Sequence, residues 1–163
     1  GSEMSFLAVG GGPELAPLEE KVRGWGLPAG RFVFAGAQEH TIVPLFMALG
    51  DIGVAPFDLA ASASLQEFGF YWSPLKVFEY MAMKMPTVTI DVNPLNGIVR
   101  DGKDGLLYPS GEVGALADRL RQLEGDIEGR EKMGKSARER VVEKYSWRAH
   151  CLALDGILKE IAR

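Results

Sequence analysis

The stretch SPLKVFEYMA (residues 73–82) and the apolar run TVTI (87–90) that follows it indicate a helix leading into a buried strand. Apolar side chains recur in the first stretch at the spacing of one helix face: Val77, Phe78, Met81 and Ala82. Ser73 followed by Pro74 is typical of an N-cap with proline at the first helical position, which predicts a helix over Pro74–Lys84. A helix followed by a short β-branched strand is the repeating unit of a parallel α/β sheet.

The same alternation extends in both directions along the chain. We expect strands at Phe6–Val9, Arg31–Ala35, Ile52–Ala55, Thr87–Ile90 and Leu106–Tyr108. The other expected helices are Glu14–Trp25, Ile42–Leu49, Val113–Leu123, Ile127–Lys144 and Trp147–Ala162, the last begun by a Ser146 cap. Residues 58–72 have no clear period and are expected to form a long loop, a position that is usually functional. The predicted fold class is α/β, a parallel sheet flanked by helices with extra helices at the C-terminal end.

Composition excludes several classes of protein. The 163 residues include 47% hydrophobic and 25% charged side chains, the balance of one ordinary globular domain. Eighteen basic and 22 acidic residues give a net charge of −4, and no basic run is present, so nucleic acid and anionic membranes are poor candidate partners. A single cysteine, Cys151, and the absence of a long apolar segment predict a reducing, cytoplasmic setting without a transmembrane segment.

Two glycine-containing motifs resemble phosphate-binding sequences. GREKMGKS (129–136) matches the phosphate-loop pattern, but it lies in a charged helical stretch with no strand before it, so we interpret it as a surface helix. Gly10-Gly11-Gly12 follows the first predicted strand, but Leu15 occupies the third glycine position of a dinucleotide fingerprint. What remains is a glycine-rich turn, required either by backbone geometry or by a ligand that approaches closely.

The predicted helix terminus from Ser73 to Lys76 has the chemistry of an anion site. Backbone amides and the helix dipole favour negative charge there, and Lys76 in the first turn is best explained by a phosphate that offsets both positive contributions. Glu79, one turn further along, could accept hydrogen bonds from the two hydroxyls of a sugar diol. The alternative is that Lys76 and Glu79 form an ordinary surface ion pair.

Histidines and cysteine do not indicate metal or nucleophile chemistry. His40 and His150 are the two histidines of the chain, and neither has a recognised ligand spacing with Cys151 or with carboxylates. We therefore expect no metal site and no cofactor. Adjacent His150 and Cys151 point to different faces of a helix, which disfavours a Cys–His nucleophile.

Seven segments in order carry a family resemblance. They are 9–14, 34–36, 48–56, 73–86, 101–107, Met133-Gly134 with Ala137-Arg138, and 145–147. Together they resemble the C-terminal half of retaining GT-B glycosyltransferases of family 4, the glycosyl transferases group 1. The phosphate-loop lookalike then corresponds to a helix with the family pattern M-G-x-x-A-R.

The resemblance implies a Rossmann-like domain that binds a nucleoside diphosphate sugar and faces a separate N-terminal acceptor domain. The intact enzyme would transfer a hexose to an acceptor with retention, without a protein-bound metal. Residues 1–4 would be an expression remnant or disordered start, 5–145 the donor-binding domain, and 146–163 a C-terminal helix. The family's first C-domain strand and the basic pair after it would precede Gly1, so the 163 residues alone are expected to be inactive and to bind donor weakly.

The resemblance also assigns roles to single residues. Glu79 would bind the nucleotide ribose, and Gln38 and His40 would lie near the base. Ser73, Pro74 and Leu75 would lie at the donor diphosphate. The anion site at the helix terminus adds Lys76, and the glycine-rich turn after the first strand adds Gly11 and Gly12, to the candidate donor site.

The sequence departs from the family pattern at three positions. Tyr71 stands in place of the family's first glutamate, whose role Glu67 could fill. Lys84 replaces a glycine that ends the helix, so it either takes a left-handed conformation or the helix ends differently. Gly97 replaces a commonly acidic residue.

Two rival functions remain open at this level. One is the half of a nucleotide-sugar epimerase, which shares the fold. The other is a noncatalytic flavodoxin-like interaction module that binds protein through the aromatic residues of 58–72.

Overall fold

Strands and helices alternate along the chain in the computed structural model, which describes residues 2–60, 63–71 and 73–162. The strands are β1 (Phe6–Val9), β2 (Phe32–Gly36), β3 (Gly53–Ala55), β4 (Thr87–Ile90) and β5 (Gly105–Tyr108). The helices are α1 (Leu15–Gly24), α2 (Val43–Met47), α3 (Ala63–Phe68), α4 (Leu75–Ala82), α5 (Leu95–Ile98), α6 (Val113–Glu124), α7 (Ile127–Lys144) and α8 (Trp147–Ile161). All recorded strand pairs are parallel, so the predicted α/β class with additional C-terminal helices is confirmed.

The first compact unit, Gly1–Gly50, is built on a two-stranded parallel sheet of β1 and β2. Phe6 pairs with Phe32 in register, and their rings stack with centroids 5.8 Å apart. The Phe32 ring also stacks on Phe34 at 4.7 Å. Val22 of α1 is the single buried side chain among residues 2–50. This unit therefore has a small hydrophobic core.

The second compact unit, Asp51–Arg163, contains a three-stranded parallel sheet in the order β3-β4-β5. Every residue of β4 and β5 is buried, as expected for a parallel sheet with helices on its faces. The largest fully buried apolar side chains come from helices α4, α5 and α6, from strands β4 and β5, and from the residue after α5: Met81, Ile90, Leu95, Leu106, Leu123, Val77, Val88 and Val99. The sheet edge formed by the carboxyl ends of these strands is the edge at which ligands bind in open α/β folds.

Helix α4 lies directly on strand β3 because Gly53 has no side chain. A Cβ atom at Gly53 would lie 2.4 Å from the Tyr80 ring. Val77 and Met81 on the same helix are completely buried. This packing anchors the helix whose N-terminus holds the predicted binding residues.

The phosphate-loop lookalike is the middle of helix α7, as predicted. Asp126 caps this helix by accepting a hydrogen bond from the Gly129 amide at 2.8 Å. Gly134 is buried against the end of α4, and a Cβ there would lie only 1.9 Å from the Lys84 carbonyl oxygen. Arg138 Nη1 donates to the Ala82 carbonyl at 2.7 Å. The glycines of this motif serve helix capping and helix packing.

A buried carboxylate joins the turn before β5 to helix α7. Asp104 is fully buried and receives hydrogen bonds from Arg100 Nε at 2.6 Å and Arg100 Nη2 at 2.7 Å. Ser136 Oγ of α7 donates to the same carboxylate at 2.8 Å. Burial opposes ionisation of this group, but the hydrogen bonds from Arg100 and Ser136 outweigh it, so the pKa of Asp104 is lowered.

Three local expectations are corrected by the structure. Helix α4 begins at Leu75 with Pro74 as its N-cap and no side-chain cap, so Ser73 is not the N-cap. Residues 58–72 are not all loop, because they contain the short helix α3, which buries Leu65. Sequence periodicity also missed α5, whose four residues are too few to display a helical period.

Two other expectations have clear outcomes. Lys84 has a φ of 60°, so it takes the left-handed conformation that was one of the two alternatives. Ser146 caps α8 as predicted, accepting a hydrogen bond from the Ala149 amide at 3.2 Å. Across residues 2–60, 63–71 and 73–162, no helix combines the length and the apolar character needed to cross a membrane.

Candidate functional site

The first unit gathers two turns at the carboxyl ends of its strands. The Gly10 amide donates to the Gly36 carbonyl at 2.8 Å, which ties the turn after β1 to the end of β2. Gly10 and Gly12 have φ values of 151° and 137°, and a Cβ at Gly11 would lie 3.3 Å from Ala37 Cβ. Backbone geometry alone therefore accounts for glycine at Gly10 and Gly12.

Gln38 and His40 follow the end of β2 in this unit. Gln38 is half-buried, and its Nε2 donates to the Ala35 carbonyl at 2.5 Å. His40 is exposed in the turn that precedes α2. The first unit thus brings the predicted residues Gly11, Gly12 and Gln38 to one edge of its sheet, with His40 two residues beyond.

The second unit contains the N-terminus of α4, where backbone hydrogen bonds occupy amides that were expected to be available to a ligand. The Leu75 amide donates to the Ser73 carbonyl at 2.9 Å, and the Val77 amide donates to the Pro74 carbonyl at 2.9 Å. Pro74 has no amide hydrogen. The amides of Leu75 and Val77 are therefore already hydrogen-bonded within this turn, which shortens the expected row of amides.

Lys76 is directed toward the carboxyl end of β3. Its Nζ lies 5.0 Å from the centroid of the Phe57 ring, which follows β3 by two residues. The alternative in which Lys76 pairs with Glu79 is wrong, since the two side chains form no ion pair. The ammonium group therefore lies over an aromatic ring close to the carboxyl end of β3.

Glu79 is half-buried in a groove of about 670 Å³ between α4, α7 and α8. Ser73 and Leu75 line the same groove. Its other walls include Phe78, Arg138, Lys144, Tyr145, Trp147 and His150. Burial raises the pKa of the neighbouring Tyr80 phenol, and the negative charge of Glu79 raises it further. A half-buried carboxylate in a groove can accept two hydrogen bonds from a ligand.

Three polar residues at the sheet edge were missed by the sequence analysis. Asp58 follows β3, and Asp91 follows β4 directly; Asp91 Oδ1 accepts a hydrogen bond from Asn96 Nδ2 at 2.9 Å. Burial raises the pKa of Tyr108 at the end of β5, and the charge of Asp58 raises it further. The rule that ligands bind at the carboxyl ends of parallel strands was the signal that could have identified them.

The residues proposed to replace the family's first glutamate lie on the surface. Glu67 is exposed on α3, and Tyr71 is 60% exposed. Trp72, part of the predicted aromatic loop, lies outside the described residues, as do 61 and 62. Within the described part of the chain, no three His, Cys, Asp or Glu side chains are grouped to hold a metal ion.

Comparison with known families gives a match over most of the chain. The sequence profile described as "Glycosyl transferases group 1" matches residues 2–126. The chain is 31% identical over 161 residues to an alpha-D-kanosaminyltransferase of Streptomyces kanamyceticus, covering 99% of this chain and 39% of that protein. It is 33% identical over 150 residues to the sulfoquinovosyl transferase SQD2 of Arabidopsis thaliana, covering 90% of this chain and 26% of that protein. The chain thus spans less than half the length of these relatives.

Solved structures show the same fold. Sucrose-phosphate synthase from Thermosynechococcus elongatus superimposes with a TM-score of 0.76 at 23% identity, covering 95% of this chain and 38% of that one. The Anabaena protein HepE, solved in complex with UDP-glucose, superimposes with a TM-score of 0.74 at 18% identity, covering 96% of this chain and 41% of that one.

Proposed function

Since the chain belongs to the glycosyl transferases group 1 family, we propose that it is the donor-binding part of a transferase that moves a hexose from a nucleoside diphosphate sugar to an acceptor with retention. The acceptor would be bound by a separate N-terminal domain of the same protein. Support comes from the share of its relatives that the chain spans, 39% and 26% in the two cases above. The 163 residues alone would then be inactive.

Glu79 is the residue on which this proposal depends most. Its carboxylate is half-buried in a groove, one turn from the N-terminus of α4, and no lysine or arginine among residues 2–60, 63–71 and 73–162 forms an ion pair with it. Such a carboxylate can accept hydrogen bonds from both hydroxyls of a ribose. Glu79 would position the donor and take no part in bond breaking.

The diphosphate would lie at the start of α4. The backbone of Ser73, Pro74 and Leu75 would approach it, and the Lys76 ammonium would offset charge that develops on the leaving group. Preorganised positive charge at a leaving group is usually the largest electrostatic contribution to catalysis. Gly11 and Gly12 would allow close approach of the donor, and Gln38 and His40 would contact its base.

The proposed chemistry uses no protein-bound metal or cofactor. The charge of the leaving diphosphate would be offset by Lys76 and by the helix terminus, which are fixed parts of the chain. Glu67 is the candidate in this chain for stabilising the transferred sugar.

The test is binding of UDP and GDP to the full-length protein by isothermal titration calorimetry. In Glu79→Ala we expect affinity for the preferred nucleotide to fall about tenfold or more, because hydrogen bonds to a charged group contribute roughly 1.5–3 kcal/mol. Glu131→Ala, which removes an exposed glutamate of α7, is the matched control and should bind as the wild type does. Wild-type affinity in Glu79→Ala would contradict the proposed role.

A further inference from the structure

Lys76 is held by an aromatic ring in place of a carboxylate. No carboxylate of the described residues forms an ion pair with it, and its Nζ lies 5.0 Å from the centroid of the Phe57 ring. A cation over the face of an aromatic ring is attracted by the ring quadrupole. The ring therefore restrains the ammonium group without neutralising its charge.

The Phe57 ring is itself fixed in place by the chain around it. The Phe57 amide donates to the Ala55 carbonyl at 3.0 Å, so the chain turns tightly at the end of β3. The Phe70 ring meets the Phe57 ring edge-on, with centroids 4.7 Å apart and planes inclined at 76°. Phe70 is only 8% exposed. The two rings thus form a support beneath the lysine, which we call the aromatic bracket.

The position of Phe70 depends on how α3 ends. The Gly69 amide donates to the Leu65 carbonyl at 3.0 Å, and Gly69 has a φ of 68°. A left-handed glycine just after a helix reverses the chain, which brings Phe70 back toward β3. Residues 63–70 therefore do more than connect β3 to α4, because they also position the Phe70 ring of the aromatic bracket.

We propose that Phe57 is a positioning residue for Lys76 and that Phe70 supports it. The inference rests on the proposed function, in which Lys76 contacts the donor diphosphate. A carboxylate in the place of Phe57 would compete with the phosphate for the ammonium group, whereas a ring leaves that charge available. Restraining the lysine before the donor binds also reduces the conformational entropy that the side chain loses on binding.

The experiment measures UDP and GDP binding to the full-length protein and its variants by calorimetry. Phe57→Leu keeps an apolar side chain but removes the ring, and should weaken binding of the preferred nucleotide about threefold to fivefold. Phe57→Tyr keeps a ring and should retain wild-type affinity. In a Lys76→Met background, Phe57→Leu should have no further effect, because the ring then has no cation to hold. Lys135→Met, at an exposed lysine of α7, is the control for loss of a positive charge.

A structural role would give a different pattern. The positioning role would be overturned if Phe57→Leu weakened nucleotide binding equally in the wild-type and the Lys76→Met backgrounds. It would also be overturned if Lys76→Met weakened binding while Phe57→Leu left the affinity unchanged. Thermal denaturation of each variant checks that it folds, and Phe57→Met replaces Phe57→Leu if the latter does not. If the wild type bound neither nucleotide, the proposed function and this inference would fail together. If only the Phe57 variants behaved as the wild type, the inference alone would fail.

Discussion

At the scale of single residues, the clearest outcome is that Lys76 and Glu79 have separate surroundings. Three residues apart on one helix, they were open to interpretation as a surface pair. The structure directs Lys76 to the Phe57 ring and Glu79 into the groove with Ser73 and Leu75. The sequence identified both residues as candidates, but it did not show which residues elsewhere in the chain each of them contacts.

Asp104 gives a residue-scale prediction on stability and its pH dependence. Because its pKa is lowered in the folded state, its contribution to stability is complete above the unfolded pKa of about 3.9 and is lost as the pH falls through the folded value. Asp104→Asn leaves Arg100 without a charged partner and should destabilise the fold at pH 7 by about 3 kcal/mol, or roughly 10 °C in Tm. Denaturation monitored by circular dichroism at several pH values measures both effects.

An exposed ion pair provides the control for Asp104. Asp118 and Arg121 pair at 2.6 Å, with side chains 76% and 63% exposed. Asp118→Asn should leave Tm unchanged, because exposed pairs contribute little to stability. Two results together would contradict the role given to the buried carboxylate. Asp104→Asn would be as stable as Asp118→Asn at pH 7, and it would lose as much stability below pH 4 as the wild type does.

At the scale of helices and strands, most of the elements followed from periodicity and caps. The expected bounds of β1, β4 and α7 are those observed, and the others differ at their ends by up to two residues. The two missed helices, α3 and α5, have six and four residues. Such short helices are stabilised by tertiary packing, here of Leu65 and Leu95, which local sequence does not reveal.

Gly134 gives a prediction about how α7 packs on the end of α4. A Cβ at this position would lie 1.9 Å from the Lys84 carbonyl oxygen, a backbone atom that cannot rotate away. Gly134→Ala must therefore separate the two helices and should destabilise the protein by roughly 1–3 kcal/mol. The midpoint of urea denaturation measures the change.

A second helical glycine serves as the control for Gly134. Gly114 of α6 has open space around its Cβ position, so Gly114→Ala should raise stability by up to about 1 kcal/mol through its better helix propensity. If Gly134→Ala were also stabilising, the close helix contact would be wrong.

At the scale of the whole molecule, the two compact units differ in how much side-chain surface they bury. Residues 2–50 have one buried side chain, Val22, whereas all of β4 and β5 is buried. Hydrogen exchange reports this difference, because amides in regions with few buried apolar contacts open at lower free energy.

We expect the amides of β1 and β2 to exchange at least about tenfold faster than those of β4 in the 163-residue chain. Hydrogen–deuterium exchange with mass spectrometry of peptides covering each strand measures this. The helical peptides of α7, which also bury Ala137 and Val141, serve as a slow reference. Equal protection of β1 and β4 would contradict the difference in stability that we infer from burial.

Family membership also belongs to this scale. No single segment was decisive; seven short segments in order carried the resemblance, and the match to the family over residues 2–126 confirmed it. The chain spans less than half the length of the two relatives compared with it. Activity, acceptor and retention are therefore proposed for the whole protein.

The sequence by itself determined the α/β class, most strands and helices, the helical nature of residues 129–136 and the family, because these depend on periodicity, caps and the order of short motifs. Tertiary structure alone decided the helix N-cap at Pro74, the left-handed Lys84 and the aromatic bracket under Lys76. These features depend on contacts between residues far apart in the chain: Gly134 meets Lys84, and Phe57 meets Phe70. Local patterns contain no information about which distant residue will supply such a contact.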